Sequence, residues 1–216
     1  MTLNIWAQEL IAFGFFFLYG SFFEWAFHKH LFHSPKFIKA TFKAHQLVHH
    51  QRYKYAINQY EWQEGQEKDH IAMDWFALPL FVGVHLPMFI AIQYLTGWHC
   101  IWGGEAAITA YYAVYEYFHF CMHVPAGRTF EKLRPFTFAK EHHRIHHKYM
   151  QQNLNVFFPL ADKCLGTYRS AASMNKTVAA DVTEIPDAPA TQPTVAQTAA
   201  ARPLITRTPA EAFSDK

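Results

Sequence analysis

A stretch of twenty-one residues, 75–95 (WFALPLFVGVHLPMFIAIQYL), contains only two clearly polar side chains, His85 and Gln93. A helix of about 20 apolar residues is long enough to cross the hydrocarbon core of a bilayer. Pro79 and Pro87 disfavour a soluble helix, but a membrane helix tolerates them because neighbouring helices satisfy the freed carbonyl groups. The stretch therefore predicts a membrane-spanning helix.

Two further stretches have the length of a membrane span. Residues 5–27 are largely apolar, and they differ from a cleavable signal peptide because no basic residue precedes them and no small-residue cleavage site follows. Residues 98–120 contain Glu105 and Glu116, so as a span they require burial against the other two. Together the three stretches predict an all-α fold, a multi-span integral membrane helical bundle.

Basic residues are confined to two segments of the region that is expected to fold. Residues 29–68 contain seven Lys and Arg and residues 128–169 contain eight, whereas 1–28 and 69–127 contain none. The positive-inside tendency places both basic segments on the cytoplasmic side and the N-terminus outside. A net charge of +2 is too small for a nucleic-acid footprint, so we expect no nucleic-acid partner and interpret the basic residues as membrane-surface anchors.

The composition of the chain changes near residue 170. Residues 171–216 are dominated by Ala, Pro and Thr and lack an apolar period, which predicts a disordered tail behind a membrane-embedded domain of residues 1–170. The three cysteines are scattered and form no CxxC motif, so no disulfide framework is expected.

The histidines are the strongest indication of a functional site in this sequence. Twelve of the fifteen histidines fall in four clusters, HKHLFH, HQLVHH, HFCMH and HHRIHH, in or beside the two basic segments. A single histidine of this kind is usually solvated or interfacial. Four clusters at one end of a helical bundle instead predict a cytoplasmic, histidine-rich cap that binds metal. The predicted ligands are His28, His33, His45, His49, His50, His119, His123, His143, His146 and His147.

The spacing within the clusters indicates which side chains share a helical face. Residues four apart project from the same face, within reach of one ion. His28 and His33 are five apart, which suits a helix that ends at Ser34 and Pro35, and His30 points elsewhere. Three pairs have the four-residue spacing: His45 with His49, His119 with His123, and His143 with His147.

The number of predicted ligands exceeds the needs of one ion. A structural zinc takes about four ligands and usually recruits thiolates, whereas ten imidazoles suit two adjacent ions with four or five nitrogens each. Imidazole binds Zn, Cu, Fe and Ni. An all-nitrogen site beside an apolar cavity favours activation of dioxygen against an unactivated C–H bond of a lipid, so we expect two iron ions with dioxygen as co-substrate.

The order of the histidine boxes resembles a known superfamily. HxxxxH at His28, HxxxHH at His45, HxxxH at His119 and HxxHH at His143 are followed by NLNVFFPLADKCLGTYR at 153–169. This arrangement is similar to the integral-membrane di-iron enzymes of the fatty acid hydroxylase and sterol desaturase superfamily. The resemblance implies hydroxylation or desaturation of a fatty acyl, sterol, sphingolipid or carotenoid chain, with electrons from a separate carrier of the cytochrome b5 or ferredoxin type.

Two features of the boxes leave the ligand set open. The second box of the superfamily is commonly HxxHH, so the extra residue in this chain leaves the role of His45 undecided. In the fourth box, His142 is an alternative to His143, because it lies four residues before His146.

Several other polar residues have two interpretations. Glu24 and Glu116 precede predicted ligands by four and three residues, so they either accept hydrogen bonds from imidazoles or bridging solvent, or form ion pairs at helix ends. His85 lies inside a predicted span and either bonds another helix or lies near the lipid chain. The histidines expected to tolerate replacement are His30, His70 and His99.

A membrane protein that transports or stores metal ions is the alternative function. A transporter is expected to place ligands near the bilayer midplane, where His85 is the one candidate in this sequence. The chain contains no GxGxxG fingerprint and no second globular region for a haem or flavin, so an oxygenase of this kind needs a separate electron carrier.

Overall fold

Every regular element in the part of the chain that the structure describes is helical. The computed structural model describes residues 3–66, 68 and 71–173. Three long helices form its body: α1 (Ile5–Phe27), α2 (Ala77–Thr96) and α3 (Ile101–His123). They coincide within a few residues with the three predicted stretches, so the all-α prediction is confirmed.

Short helical elements connect and cover the long helices. α1 continues directly into a wide, π-helical turn at His28–Phe32, and a second π-helical turn occupies Lys43–His49. The other short elements are the helical turns Lys39–Phe42, His50–Arg52 and Ile57–Tyr60, the 3₁₀ turn Thr129–Lys132, and the helices α4 (Arg134–His146) and α5 (Leu160–Cys164).

α1 and α3 run parallel and touch through their glycines. A Cβ atom added to Gly103 would lie 2.0 Å from the carbonyl oxygen of Glu9, and one added to Gly20 would lie 2.6 Å from the ring of Tyr111. The backbone N–H of Gly103 also donates to Oε2 of Glu9 at 2.6 Å, which satisfies a donor in the first turn of α3. The contact at residue 103 therefore depends on the absence of a side chain.

α2 runs antiparallel to α1. The ring of Phe16 lies 4.6 Å from that of Phe89, whereas the ring of Phe27, farther along α1, lies 5.1 Å from that of Phe81, which is earlier in α2. The C-terminal ends of α1 and α3 and the N-terminal end of α2 consequently meet at one end of the bundle. The four histidine clusters lie at or beyond that end, as predicted for a histidine-rich cap.

Two of the long helices are long and apolar enough to cross a membrane, judged by length and composition. The segment Ile5–Phe32 has a mean hydropathy of 1.6 and Ala77–Thr96 one of 1.7. α3 is of similar length but does not reach this hydropathy, and it contains Glu105 and Glu116. The third predicted span is thus a helix that packs along α1 and α2, and it lacks the composition of an independent span.

The predicted tail falls almost entirely beyond the described residues. Residues 171–173 form a short helical turn, and residues 174–216 lie outside the part of the chain that the structure describes.

The contact at Gly103 yields a stability prediction. Gly103→Ala forces the new methyl group against the backbone of Glu9, so we expect a loss of about 1–3 kcal/mol in the free energy of unfolding. Gly14→Ala is the matched control, since a Cβ there meets nothing within 4 Å, and it should be neutral or slightly stabilising. Thermal unfolding of the two variants in detergent compares them, and equal stabilities would contradict the close packing.

Candidate metal centre

Nine of the ten predicted ligands lie in two adjoining groups of buried imidazoles. Within each group, one nitrogen from every ring lies within 4.8 Å of the corresponding atoms of the other rings. Group A consists of His28, His33, His45, His50 and His146. Group B consists of His49, His123, His143 and His147.

Two wide backbone turns bring together four of the five members of group A. The backbone N–H of His33 donates to the carbonyl of His28, five residues earlier, at 3.1 Å, and that of His50 donates to the carbonyl of His45 in the same way. A turn of this width brings residues five apart to one face. The predicted sharing of one site by His45 and His49 is therefore wrong, because His49 belongs to group B.

The helix α4 supplies both groups. His143 and His147 lie in group B, as their four-residue spacing predicts, while His146 reaches group A. His142 points away from both groups, and its Nε2 lies 3.0 Å from Oδ2 of Asp162. The structure thus places His143 rather than His142 among the clustered imidazoles, and it places His45 among them as well.

His119 lies beside group B without meeting the same distance limit. Its ring centroid is 4.9 Å from that of His49, 5.0 Å from that of His123 and 4.8 Å from that of His143. The backbone of Ile71 lies near this ring, but neither ring nitrogen reaches hydrogen-bond geometry with any partner among the described residues. His119 is therefore the one predicted ligand that lies next to group B without belonging to it.

Backbone carbonyls fix the tautomers of several imidazoles. In group A, Nδ1–H of His28 donates to the carbonyl of Leu154 at 2.6 Å, and Nδ1–H of His146 donates to that of Gln152 at 2.9 Å. A carbonyl only accepts, so Nδ1 carries the proton and Nε2 presents a lone pair. This second layer of hydrogen bonds is the arrangement that orients metal-binding histidines.

Group B has the same kind of carbonyl support. Nδ1–H of His123 donates to the carbonyl of Tyr60 at 2.8 Å, and Nδ1–H of His147 donates to that of Tyr53 at 2.5 Å. The Nε2 atoms of His123 and His147 therefore carry lone pairs, and both face Nε2 of His143, at 3.3 Å and 3.1 Å. A proton on Nε2 of His143 would serve only one of these two lone pairs, and in either tautomer the buried Nδ1 of His143 has no partner among the described residues.

The pair of His33 and His146 in group A has no proton to share. Nδ1–H of His33 donates to Oε1 of Gln46, so His33 presents Nε2 as a lone pair. It faces the lone pair on Nε2 of His146 at 3.0 Å. Two lone pairs at this distance repel one another unless a cation lies between them. The buried donor set therefore fits a bound metal ion and fits poorly with an empty core.

The spacing of nitrogens in group A is compatible with binding of one ion. Two nitrogens at about 2.1 Å from one ion lie roughly 3.0 Å apart at a right angle and roughly 3.4 Å apart at a tetrahedral angle. The pairs of His45 with His28 and with His50 are 2.9 Å and 3.1 Å apart. Nitrogens at these distances could bind the same ion.

Burial keeps these imidazoles neutral. Desolvation lowers the pKa of His33 to about 4. For the other group members outside the long helices, burial and then repulsion between neighbouring imidazoles hold the pKa well below its usual range. These residues are His45, His49, His50, His143, His146 and His147. A neutral imidazole is the form that binds metal.

Neither predicted carboxylate is hydrogen-bonded to an imidazole within the described part of the chain. Glu24 accepts hydrogen bonds from Tyr111, Asn155 and Val156, and Glu116 accepts one from the backbone of Met73. These contacts differ from a direct bond to an imidazole and from an ion pair with Lys or Arg, while the predicted contact with bridging solvent stays a prediction.

The remaining histidines lie outside the two groups. His85 donates from Nδ1 to the carbonyl of Phe81 at 2.7 Å and accepts from the hydroxyl of Tyr19 at 3.3 Å, so it bonds to another helix. His30 contacts the ring of Trp25, and His99 donates its backbone N–H to α1. His70 lies outside the described residues.

Sequence reasoning missed the groups that orient the imidazoles. Four are main-chain carbonyls, which every residue possesses, so no side-chain pattern marks them. Gln46 and Asp162 are side chains, and their positions beside a histidine box and in the closing 153–169 stretch are the only signals that could have pointed to them. The carbonyls belong to Tyr53, Tyr60, Gln152 and Leu154.

No protein-family model, no curated protein and no solved structure matches the chain significantly.

The two groups predict how metal content responds to single replacements. His143→Ala removes the imidazole that the Nε2 atoms of His123 and His147 face, so bound metal should fall by at least one ion per chain. His30→Ala is the control, because His30 belongs to neither group and should retain the full content. Elemental analysis of the purified proteins measures both, and equal losses would contradict the assignment.

The lowered pKa values predict acid sensitivity of the metal-free protein. His33 has a pKa of about 4 when folded and about 6.5 when unfolded, so between these values the unfolded chain binds the extra proton. Stability is therefore fully present above pH 6.5 and decreases as the pH falls toward 4, at about 1.4 kcal/mol per pH unit for each such histidine. Unfolding midpoints measured from pH 7.5 to 4.5 test this, and a constant midpoint would refute it.

Proposed function

We propose that the protein is a membrane di-iron oxygenase of the fatty acid hydroxylase and sterol desaturase type. It would use dioxygen and two electrons to hydroxylate a membrane lipid chain, or to desaturate it. The observation that carries the proposal is the presence of two adjoining groups of buried imidazoles with facing lone pairs. Group A and group B would each hold one iron, with His119 completing group B.

An apolar cavity beside group A supports a lipid substrate. It lies between the three long helices and has a volume of about 40 Å³. His28 is the single group A member in its wall, which otherwise consists mainly of aromatic and aliphatic side chains, among them Phe23, Phe81, Ile108 and Tyr115. The cavity is narrow, so a lipid chain would enter as these side chains move apart, and the exclusion of water would favour an apolar substrate.

Exposed aromatic side chains support a membrane location. At the end of the bundle away from the histidines, Trp6 is 84% exposed, Tyr94 87% and Trp102 78%. At the histidine end, Trp75 is 86% exposed. Trp and Tyr at both ends of apolar helices are typical of membrane–water interfaces. The Lys and Arg residues of the two basic segments favour a cytoplasmic location of the histidine cap.

The protein's own residues would prepare the site in three ways. Bound iron would supply the activation of dioxygen, and the carbonyl-held imidazoles would keep their Nε2 atoms free to bind it. Tyr53 and Tyr60 are fully buried beside group B and exclude water from it. The Phe-lined cavity would place a C–H bond next to group A. Electrons would arrive from a separate cytochrome b5-type or ferredoxin-type carrier.

The alternative, metal transport or storage, has less support. A transporter needs ligands along its path across the membrane. His85 is the histidine within the span-like part of α2, and both its ring nitrogens already make hydrogen bonds within the protein. The imidazoles free to bind metal are concentrated at one end of the bundle, which suits a fixed centre.

Labelled dioxygen tests the reaction. In hydroxylation, dioxygen, two electrons and two protons convert a C–H bond to C–OH and release one water, so the product should carry one labelled oxygen. The assay uses iron-loaded protein in reconstituted membranes with a reducing partner, and His143→Ala is the inactive control. An unlabelled product with a new double bond would indicate desaturation. No oxygen consumption with fatty acyl, sterol and carotenoid substrates would overturn the oxygenase proposal in favour of metal handling.

A further inference from the structure

Glu24 is a buried carboxylate that receives three hydrogen bonds from uncharged donors. Its side chain accepts from the hydroxyl of Tyr111 at 2.6 Å, from Nδ2 of Asn155 at 3.0 Å and from the backbone N–H of Val156 at 2.5 Å. The residue is 8% exposed. A carboxylate buried in this way is costly unless its hydrogen bonds are essential to the local structure. Two of the three bonds tie α1 to the segment 154–156.

A second carboxylate holds the same segment from the other side. Asp162 accepts from the backbone N–H groups of Leu154 at 2.9 Å and Asn155 at 2.8 Å. Three consecutive backbone donors, at residues 154, 155 and 156, therefore all end on carboxylates. This fixes the peptide groups of the segment, and with them the direction of the carbonyl of Leu154.

The carbonyl of Leu154 is the acceptor that fixes the ring of His28. Nδ1–H of His28 donates to it at 2.6 Å, which leaves Nε2 free in group A, 2.9 Å from Nε2 of His45. Glu24 precedes His28 by four residues on α1, so the two side chains lie on the same helical face. The carboxylate holds one end of the segment and the imidazole bonds to the other.

We propose that Glu24 is a positioning residue for the metal ion of group A, acting through the segment 154–156 and His28. The inference rests on the metal centre of the proposed function and is independent of the reaction. Without the carboxylate, the backbone N–H of Val156 loses its partner and Nδ2 of Asn155 keeps only the carbonyl of Ser21. Asp162 is then the one carboxylate that holds the segment, so the carbonyl of Leu154 shifts and His28 is free to adopt the other tautomer. Group B has its own carbonyl partners and is unaffected.

The test is a titration of the metal-free full-length protein in detergent with Co²⁺, followed by absorbance. Glu24→Ala should weaken one of two binding sites by about 10–100-fold and leave the other unchanged, which is the usual effect of losing a supporting hydrogen bond. Glu116→Ala is the matched control, because Glu116 also precedes a histidine and accepts a backbone hydrogen bond, yet it does not contact the segment. It should retain both sites.

Double variants identify the weakened site. If Glu24 acts on group A, Glu24→Ala combined with His33→Ala should bind no worse than His33→Ala alone, whereas its combination with His147→Ala should weaken both sites. Tyr111→Phe, which removes one bond to Glu24 but keeps both bonds to the segment, should retain normal affinity.

A folding control keeps the result decisive. Near-ultraviolet circular dichroism of each metal-free variant establishes whether tertiary packing is retained. Glu24→Gln is a milder variant, because it keeps an acceptor for the backbone N–H of Val156, and it should show a smaller loss of affinity for Co²⁺. A folded Glu24→Ala protein that binds two Co²⁺ ions with unchanged affinity would overturn the proposal. Loss of both sites together in a folded protein would do the same. A wild-type protein that binds two Co²⁺ ions, with variants that follow the expected pattern, but that shows no oxygenase activity when loaded with iron would instead count against the oxygenase reaction.

Discussion

The facing lone pairs of buried imidazoles are the interaction on which this architecture depends. In group A, His33 and His146 each commit their Nδ1 proton to an acceptor and then present Nε2 to one another at 3.0 Å. In group B, the lone pairs of His123 and His147 both face Nε2 of His143, which can donate a proton to only one of them. A protein core does not tolerate such repulsion without compensation, and a cation between the nitrogens converts it into attraction. The two groups of imidazoles could each hold a metal ion, and the rest of the fold supports them.

The support comes from main-chain carbonyls in the short elements that cover the bundle. Turns around Tyr53 and Tyr60 orient group B, while the residues after α4 orient group A. These irregular segments need fixing themselves, because a loop that moves would release the tautomers it sets. Two buried carboxylates hold the segment after α4 in place. Together, Asp162 and Glu24 accept hydrogen bonds from the three successive backbone N–H groups of residues 154–156. Helix, loop and imidazole thus form one connected layer of hydrogen bonds.

The long helices determine where this layer lies. α1 and α3 run parallel and in backbone contact at Gly103, so their C-terminal ends reach the same level. α2 returns alongside them, and its Phe81 and Phe89 rings pack against Phe27 and Phe16 of α1. The apolar cavity beside His28 is lined by side chains of all three long helices. The same helices therefore position the histidine groups and form the cavity next to group A.

The sequence alone determined the three long helices, the end at which the histidines gather and the residues able to bind metal. The length of an apolar stretch and the spacing of histidines are local properties, so they can be read from the sequence without knowledge of tertiary contacts. Only the tertiary structure decided that His45 joins group A while His49 joins group B, and that His143 faces inward while His142 bonds to Asp162. The physical reason is twofold. A wide turn shifts the face on which a side chain lies without changing the spacing that is read from the sequence. The acceptors that fix each imidazole are carbonyls, which are present at every residue and acquire a role only when folding brings one of them to a ring nitrogen.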